Sequence, residues 1–313
     1  MRAVQTTAWG QPPTFTNNAE PHPSSSDKTT ITVLASGLSR LTRSQALGQH
    51  YSATSRSLPY TPGSDGVGST PSGDKVYFIS MSGDAWAESA NINNHAIFPL
   101  RPDADATLVA GLVNPAMASW MALRTRVFDL KRGFTILIIG ATSLSGRVAI
   151  HNARRLGASK VIGVARNQAK LASLGLDESI ILQEDPSKTD WSPLTSGDID
   201  VILDNVYGPV VVAALAALKT TKPVQYVNVG SMAGLETSYP AALLRKSNLT
   251  MRGSGPGAWS MQDLGKEMPA MLEAVQDLPK ELGKEIVARK LEEVDEAWAL
   301  DDGRRIVFVP QEK

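Results

Sequence analysis

The stretch ILIIGATSLSGRVAIHNARRLGA, residues Ile136 to Ala158, decides the fold. Its first four residues are apolar and mostly β-branched, which predicts a buried strand. Gly140 follows that strand, and the residues from Gly146 onward have the apolar spacing and the length of a helix. A strand, a glycine turn and a helix in this order predict the start of a βαβ unit in a parallel sheet.

The sequence on either side of this stretch predicts three segments. Residues 1–115 are rich in Gly, Pro, Ser and Thr around short β-branched runs, which predicts a strand-rich domain. Residues 116–253 alternate six apolar runs with helical patterns, as in a Rossmann sheet. The six predicted strands are Thr135 to Ile139, Lys160 to Val164, Ser179 to Leu182, Asp200 to Leu203, Val224 to Val229 and Leu249 to Arg252. Residues 254–313 return to shorter strands and should join the first domain. The predicted fold class is therefore α/β, with a parallel-sheet domain inserted into a strand-rich domain built from both chain ends.

Composition excludes several classes of function. The 313 residues carry 31 basic and 31 acidic side chains, a formal net charge of zero, so neither nucleic acid nor a membrane is an expected partner. No apolar run approaches the ~20 residues of a membrane span. The chain has no cysteine, which removes disulfides, thiol nucleophiles and thiolate zinc sites. The N-terminus MRAVQTTAWG has no apolar signal core, so we expect a cytoplasmic protein.

The glycine turn predicts a dinucleotide site. Gly140 permits the tight turn and Gly146 lets the helix pack closely on the strand, although Ser143 and Leu144 stand where the usual fingerprint has glycine. The helix N-terminus can still bind a pyrophosphate, and the Ser143 and Ser145 hydroxyls can donate hydrogen bonds to it. The candidate phosphate-binding residues are Gly140, Thr142, Ser143, Leu144, Ser145 and Gly146. The alternative is an ordinary turn between a strand and a helix.

The residue about 20 positions past the glycines, where Asp or Glu would bind a ribose 2′-hydroxyl, is Arg166. No carboxylate follows until Asp177. A guanidinium can hold a 2′-phosphate in a bidentate pair, and Lys170 adds a second charge. Arg166, Asn167 and Lys170 therefore predict NADP(H) as the cofactor. The alternative is that the two cations are solvated surface residues.

Five more segments agree in order and spacing with one known family. They are LPYTPGSDGVG (58–68), NPAMASWMAL (114–123), IDVILDNVYG (199–208), VNVGSMAG (227–234) and GRRIVFVP (303–310). Together with GATSLSG they resemble the zinc-free, quinone oxidoreductase-like branch of the medium-chain dehydrogenase/reductase superfamily, over nearly the whole chain. The resemblance implies a Rossmann domain for NADP(H) and a GroES-like catalytic domain. The segment ASGLSRLTRSQALGQHY (35–51) lacks the zinc ligands of other members, so no metal is expected.

The resemblance also implies the reaction and its residues. Hydride transfer without a Lewis acid suits a small acceptor that is already conjugated, such as a quinone or an enone. The implied cofactor contacts are Asn205, Tyr207, Asn228, Gly230, Ser231, Gly253 and Ser254, with Ser119 in place of a family threonine. Asp204 lies with Asn205 and Tyr207 at the end of the fourth predicted strand, where Rossmann ligands bind. Tyr51 is the first candidate proton donor and His50 the second, with water as the alternative. Tyr60, Trp120 and Trp259 are candidate walls of the substrate pocket, although such aromatic residues also pack in cores.

Two other functions stay open at this point. One is a specialised-metabolite enzyme acting on a single conjugated, polyketide-like intermediate, and the other is a cofactor-binding protein with little redox activity. The altered glycine turn and the sequence Ala118-Ser119-Trp120, where the family has Thr-Ala-Tyr, favour such divergence. By analogy with relatives we also expect a homodimer, paired along the candidate edge strand Leu249 to Arg252.

Overall fold

The computed structural model describes residues 1–20, 25–50, 53, 56–80, 83–195, 197–220, 222–300 and 303–310. The chain divides into two compact units. Residues 1–114 and 268–313 form one, called here the terminal unit, and residues 115–267 form the other, called the central unit.

Along the chain, the second boundary between the two units falls after Glu267, whereas the sequence predicted this boundary after residue 253. Side chains of the central unit hold the intervening segment. Arg126 donates to the carbonyls of Gly253 and Ala258, at 2.9 and 2.7 Å, and the Trp120 indole donates to Glu267 at 2.8 Å. Such contacts between residues far apart in sequence leave no local signal in the chain.

Fifteen strands and eight α-helices lie in the described residues. The strands are β1 Ala3–Gln5, β2 Thr14–Thr16, β3 Lys28–Leu38, β4 Asp65–Ser69, β5 Lys75–Ile79, β6 Ser89–Asn93, β7 Ile97–Pro99, β8 Thr135–Ile139, β9 Lys160–Ala165, β10 Glu178–Ile181, β11 Val201–Asp204, β12 Val224–Asn228, β13 Leu249–Gly253, β14 Ile286–Arg289 and β15 Arg305–Phe308. The α-helices are α1 Arg40–Ala46, α2 Ala106–Met121, α3 Leu144–Arg155, α4 Gln168–Ala172, α5 Gly208–Ala217, α6 Ala241–Lys246, α7 Met261–Gln276 and α8 Val294–Ala299.

The terminal unit is strand-rich and uses both ends of the chain. Its main sheet has the order β14-β15-β3-β4-β5-β7, and β6 also pairs with β3. The antiparallel pairing of β15 with β3, Val307 opposite Gly37, joins the C-terminal segment to the N-terminal one. The predicted strand-rich domain built from both chain ends is confirmed.

The central unit contains a six-stranded parallel sheet in the order β10-β9-β8-β11-β12-β13. From Ile136 to Ile139 strand β8 is apolar, as expected where both faces of a sheet are covered. Ile136 and Ile138 pack in one core cluster, and Leu137 and Ile139 pack in the other. The predicted α/β class with a Rossmann-type sheet is confirmed.

Sequence reasoning did not single out helix α2. It carries Pro115 and, with the π-helical turn Ala122–Arg126, makes a continuous helical stretch of 21 residues. Its mean hydropathy of 1.4 and its length would suffice to cross a membrane, but 67% of its most apolar window is buried in the protein. Core helices have the same length and composition, so this stretch alone is weak evidence for a membrane span. A helix that is apolar on every side lacks the amphipathic period by which helices are recognised.

Candidate functional site

The glycine turn of the central unit is built around Ser143. The backbone of Gly140 is left-handed, with φ +86°, and Ser143 caps helix α3 by accepting the N–H of Gly146 at 3.0 Å. The Ser143 hydroxyl donates to the carbonyl of Gly140 at 2.8 Å. Sequence reasoning proposed this hydroxyl as a donor to phosphate. In the structure, its hydrogen is used to close the turn.

Gly146 is required by close packing. A Cβ added at this position would lie 2.2 Å from the carbonyl oxygen of Gly140 and 2.7 Å from the Cα of Ala141. The helix therefore begins directly against the turn. Because the first N–H groups of a helix have no intrahelical partner, those of Leu144 and Ser145 can bind an anion, beside the half-buried Thr142.

Arg166, Asn167 and Lys170 follow β9 at the same edge of the sheet. The N–H groups of Gly140 and Ala141 both donate to the carbonyl of Val164, at 2.9 and 3.1 Å, so the turn abuts the end of β9. Arg166 is exposed. Asn167 caps α4 by accepting the N–H of Lys170 at 2.9 Å. The cations therefore stand beside the turn.

Asp177 lies at the opposite end of β9. Its carboxylate accepts the N–H of Val161 at 2.6 Å and pairs with Arg154 at 2.5 Å. Val161 is near the start of the strand, and Arg166 follows its end. The first carboxylate after the glycine turn is thus held away from Arg166.

The loops after β11, β12 and β13 converge on the same carboxyl edge. The Asn205 side chain donates to the carbonyl of Ile139 at 3.1 Å, which joins this loop to the end of β8. A Cβ on Gly230 would lie 2.7 Å from the carbonyl oxygen of Asn205. The Asn228 amide donates to Gly230 at 2.8 Å, and the N–H of Ser254 donates to the carbonyl of Asn228 at 2.8 Å.

All the cofactor candidates of these three loops are accessible to some degree. Asn205, Tyr207, Asn228, Gly230 and Ser254 are half-buried, and Ser231 and Gly253 are exposed. The parallel sheet brings them to one edge because all its strands end there. Their contacts with a cofactor stay predictions.

Asp204 is turned away from this edge, although sequence reasoning grouped it with the ligand candidates. It is completely buried, and accepts the N–H groups of Val206 and Tyr207 and the hydroxyl of Tyr226 at 2.8, 3.0 and 2.8 Å. Burial raises the pKa of Asp204, against these hydrogen bonds, which lower it. Its partner Tyr226 lies 22 residues away, and no sequence signal indicated the pair.

Ser119 and Trp120 are both buried within the central unit. The Ser119 hydroxyl donates to Ala116 at 3.2 Å and accepts the Asn152 amide at 2.9 Å. The Trp120 ring is 3% exposed, and its acceptor Glu267 also binds Arg124 in a bidentate pair. Trp259, the other tryptophan proposed for the pocket, is half-buried.

The two described candidates of the terminal unit, His50 and Tyr60, both lie near Arg56. Tyr51 lies outside the described residues. The half-buried His50 has its pKa lowered by burial and by the charge of Arg56. The Arg56 guanidinium lies 4.7 Å from the ring centre of Tyr60. Tyr60 is 5% exposed, and burial raises its pKa to about 12.

Asp65, the first residue of β4 and part of the motif LPYTPGSDGVG, belongs to a buried polar network of the terminal unit. It accepts the hydroxyl of Tyr77 at 2.8 Å and that of Ser64 at 3.2 Å. Burial raises the pKa of Asp65, while Tyr77 and the charge of Arg305 oppose that rise. The described residues contain no group of three or more His, Asp or Glu side chains placed to hold a metal ion.

Comparison with known proteins gives the family. No family model matches the chain. It is 34% identical to a protein of Emericella nidulans described as the probable NADPH-dependent quinone reductase tdiC, over 99% of this chain and 100% of that protein. The chain belongs to the zinc-free, quinone oxidoreductase-like branch of the medium-chain dehydrogenase/reductase superfamily.

Solved structures agree with the fold of this quinone oxidoreductase-like chain. The quinone oxidoreductase of Thermus thermophilus matches with a TM-score of 0.75 and 23% identity, over 99% of this chain and 100% of that one. The quinone oxidoreductase of Pseudomonas syringae pv. Tomato matches with a TM-score of 0.76 and 19% identity, over 99% of both chains. At these identities the likeness establishes the fold alone.

Proposed function

We propose that the protein is an NADPH-dependent, metal-free reductase that transfers hydride to a quinone or an α,β-unsaturated carbonyl. One observation carries the proposal. The glycine turn, the free start of α3 and Arg166 stand together at the carboxyl edge of the sheet, in a chain of the quinone oxidoreductase-like family. The relative from Emericella nidulans is described as NADPH-dependent.

The residues of this edge fit a phosphorylated dinucleotide. The N–H groups of Leu144 and Ser145 would hold the pyrophosphate, and Ser143 would keep the turn closed around it. Arg166, with Asn167 and Lys170, would hold the 2′-phosphate. NAD(H) has no phosphate there, so the cations favour NADP(H).

When NADPH is bound, it supplies the hydride. Asn205, Asn228, Gly230, Ser231, Gly253 and Ser254 would orient its nicotinamide half, and Ser119 would act indirectly, because its hydroxyl is buried and already paired. Of the proposed pocket aromatic residues, Trp259 is the best placed to touch an acceptor, since Tyr60 and Trp120 are nearly inaccessible.

Of the two candidate proton donors for the reduced acceptor, Tyr51 is favoured over His50. Because the pKa of His50 is lowered from 6.5, its imidazole is mostly neutral at pH 7 and is a poor acid. A tyrosine is protonated at that pH. Direct protonation by water is the competing route.

We also infer that the protein pairs with a second copy through β13. This strand ends the sheet order, and the inward bonds of Asn248 and Ser254 leave the N–H of Met251 facing outward. Met251→Pro would remove that donor. Light scattering should show a dimer for the wild type and a monomer for the variant; a wild-type monomer contradicts the inference.

The reductase proposal is tested by titrating the protein with NADPH and NADH by fluorescence. We expect NADPH to bind more tightly, and Arg166→Ala to weaken NADPH binding about ten- to a hundredfold while leaving NADH binding unchanged, since charge-assisted pairs contribute about 1.5–3 kcal/mol. The matched control is Arg132→Ala, an exposed arginine that precedes β8 at the opposite edge of the sheet.

Turnover is then followed by absorbance at 340 nm against quinones and enones. Oxidation of NADPH on one class of acceptor would support the reductase and identify that class. Tight binding without turnover on any acceptor would favour the specialised enzyme or the cofactor-binding protein. Equal binding of both cofactors would contradict the 2′-phosphate site.

A further inference from the structure

Tyr207 has a backbone conformation that is almost reserved for glycine. Its φ is +62° and its ψ is −160°, between the end of β11 and the start of α5. Residues with a Cβ are strained in this region, and such strain tends to collect at ligand sites. Gly208, the next residue, is also left-handed, with φ +66°.

Asp204 holds the Tyr207 backbone by accepting a hydrogen bond from its N–H group. Its Oδ1 accepts the N–H groups of Val206 and Tyr207, while its Oδ2 accepts the hydroxyl of Tyr226. The N–H of Ala233 donates to the carbonyl of Val206 at 2.8 Å and ties the loop to the one after β12. A buried carboxylate with three donors thus holds one conformation of the loop.

The Tyr207 ring makes packing contacts, but its backbone has a conformation that favours glycine. Its ring is half-buried against the core cluster around β11 and tilts against Tyr239, with ring centres 6.4 Å apart. Glycine would satisfy the backbone without strain. The loop also reaches the glycine turn, because a Cβ on Gly140 would lie 3.0 Å from the Val206 side chain. The strained tyrosine therefore stands beside the proposed cofactor turn.

We propose that Asp204 is a positioning residue for the cofactor: it holds Tyr207 in the strained conformation, and the Tyr207 side chain contacts the bound nucleotide. This inference rests on the proposed NADPH function. Wild-type binding of NADPH tests that function, and the variants below test only the roles of Asp204 and Tyr207.

The first test compares Tyr207→Gly with Tyr207→Ala. Both remove the ring and should weaken NADPH about three- to tenfold, the range of one aromatic contact. A protein with alanine at a given position is normally more stable than the same protein with glycine there. At this position the Tyr207→Gly variant should have a melting temperature about 2 to 4 °C higher than the Tyr207→Ala variant, because only glycine relieves the backbone strain. Tyr207→Phe should bind NADPH as the wild type does if the ring makes the contact.

The second test is a double-mutant cycle with Asp204→Ala. If Asp204 acts through Tyr207, its removal raises the Kd and KM for NADPH in the wild-type background, with kcat at saturation little changed. In the Tyr207→Gly background it should leave the Kd unchanged. A merely structural aspartate would lower stability equally in both backgrounds without this coupling. Should Asp204→Ala not fold, Asp204→Asn keeps an acceptor for the two N–H groups and should restore the wild-type Kd.

Asp129→Gly is the matched control, because Asp129 also has a positive φ, +49°, but lies in the loop before β8 at the other edge of the sheet. It should leave NADPH binding unchanged. Tyr207→Gly and Tyr207→Ala variants that bind NADPH like the wild type, or an alanine variant more stable than the glycine one, would overturn the inference. If the wild type itself does not bind NADPH, the proposed function fails first.

Discussion

Replacing Gly146 by alanine should separate helix α3 from the glycine turn. The added Cβ would meet the carbonyl of Gly140 at 2.2 Å and the carbonyl carbon of Ala141 at 2.8 Å, and both are backbone atoms that no rotamer change can move. Ordinary contacts begin near 3.4 Å, so the two segments must part by about 1 Å. Such overpacking costs about 1–3 kcal/mol.

The displacement should affect stability and binding together. At about 2–4 °C per kcal/mol, the melting temperature followed by circular dichroism should fall by several degrees. The N–H groups of Leu144 and Ser145 move with the helix, so NADPH should bind about tenfold more weakly or worse. Fluorescence titration measures that loss.

The chain offers a matched control in Gly265. It lies in α7, is exposed, and has no atom within 4 Å of an added Cβ. Gly265→Ala should raise stability by about 0.5–1 kcal/mol through helix propensity and leave NADPH binding unchanged. The reasoning fails if Gly146→Ala melts and binds like the wild type, or if both alanine variants lose the same stability.

Tyr77→Phe should destabilise the terminal unit by about 1.5–3 kcal/mol in thermal unfolding, because buried Asp65 loses a hydrogen-bond donor. Tyr60→Phe removes a buried hydroxyl that has no acceptor among the described residues, so this variant should be as stable as the wild type or more stable. Equal losses of stability in the two variants would contradict this reasoning. The pKa of Glu88 is lowered from 4.5, chiefly by the N–H of Arg2, so its contribution is present above about pH 4.5 and is lost as pH falls through the folded value. Glu88→Gln should therefore cost under about 1 kcal/mol at pH 7, because the pair is partly exposed, and this cost should shrink as the pH falls below 4.5; a cost that does not change with pH would refute the assignment. Dialysis against a chelator should leave reductase turnover unchanged, and a loss that zinc restores would contradict metal-free chemistry.

Much of the central sheet was predictable because its signals are local. The apolar run before Gly140 predicted a strand over Thr135–Ile139, and the structure has the same bounds. Strand β9 runs one residue beyond its predicted end at Val164. The order of the strands follows from the alternation with helices, which fixes a parallel sheet and brings every strand end to one edge. The candidate cofactor residues therefore share that edge.

The orientation of individual side chains was not predictable in the same way. Ser143 looked like a phosphate donor, but its hydroxyl closes the turn. Asp204 looked like a ligand residue, but its carboxylate faces inward to Tyr226. Trp120 looked like a pocket wall, and its indole is bound to Glu267, 147 residues away. In each case the side chain is oriented by a hydrogen-bond partner that only folding brings close.

The sequence by itself determined the family, the two sheets and the placement of the glycine turn, because periodicity, glycine position and motif order are written along the chain. Only the tertiary structure decided which polar groups face the ligand edge and which are used internally, and that Tyr207 has a conformation suited to glycine. The physical reason is that hydrogen bonds and backbone strain depend on neighbours that are distant in sequence. Asp65 finds Tyr77 across an antiparallel pair of strands, and Asp204 finds Tyr226 across a parallel one.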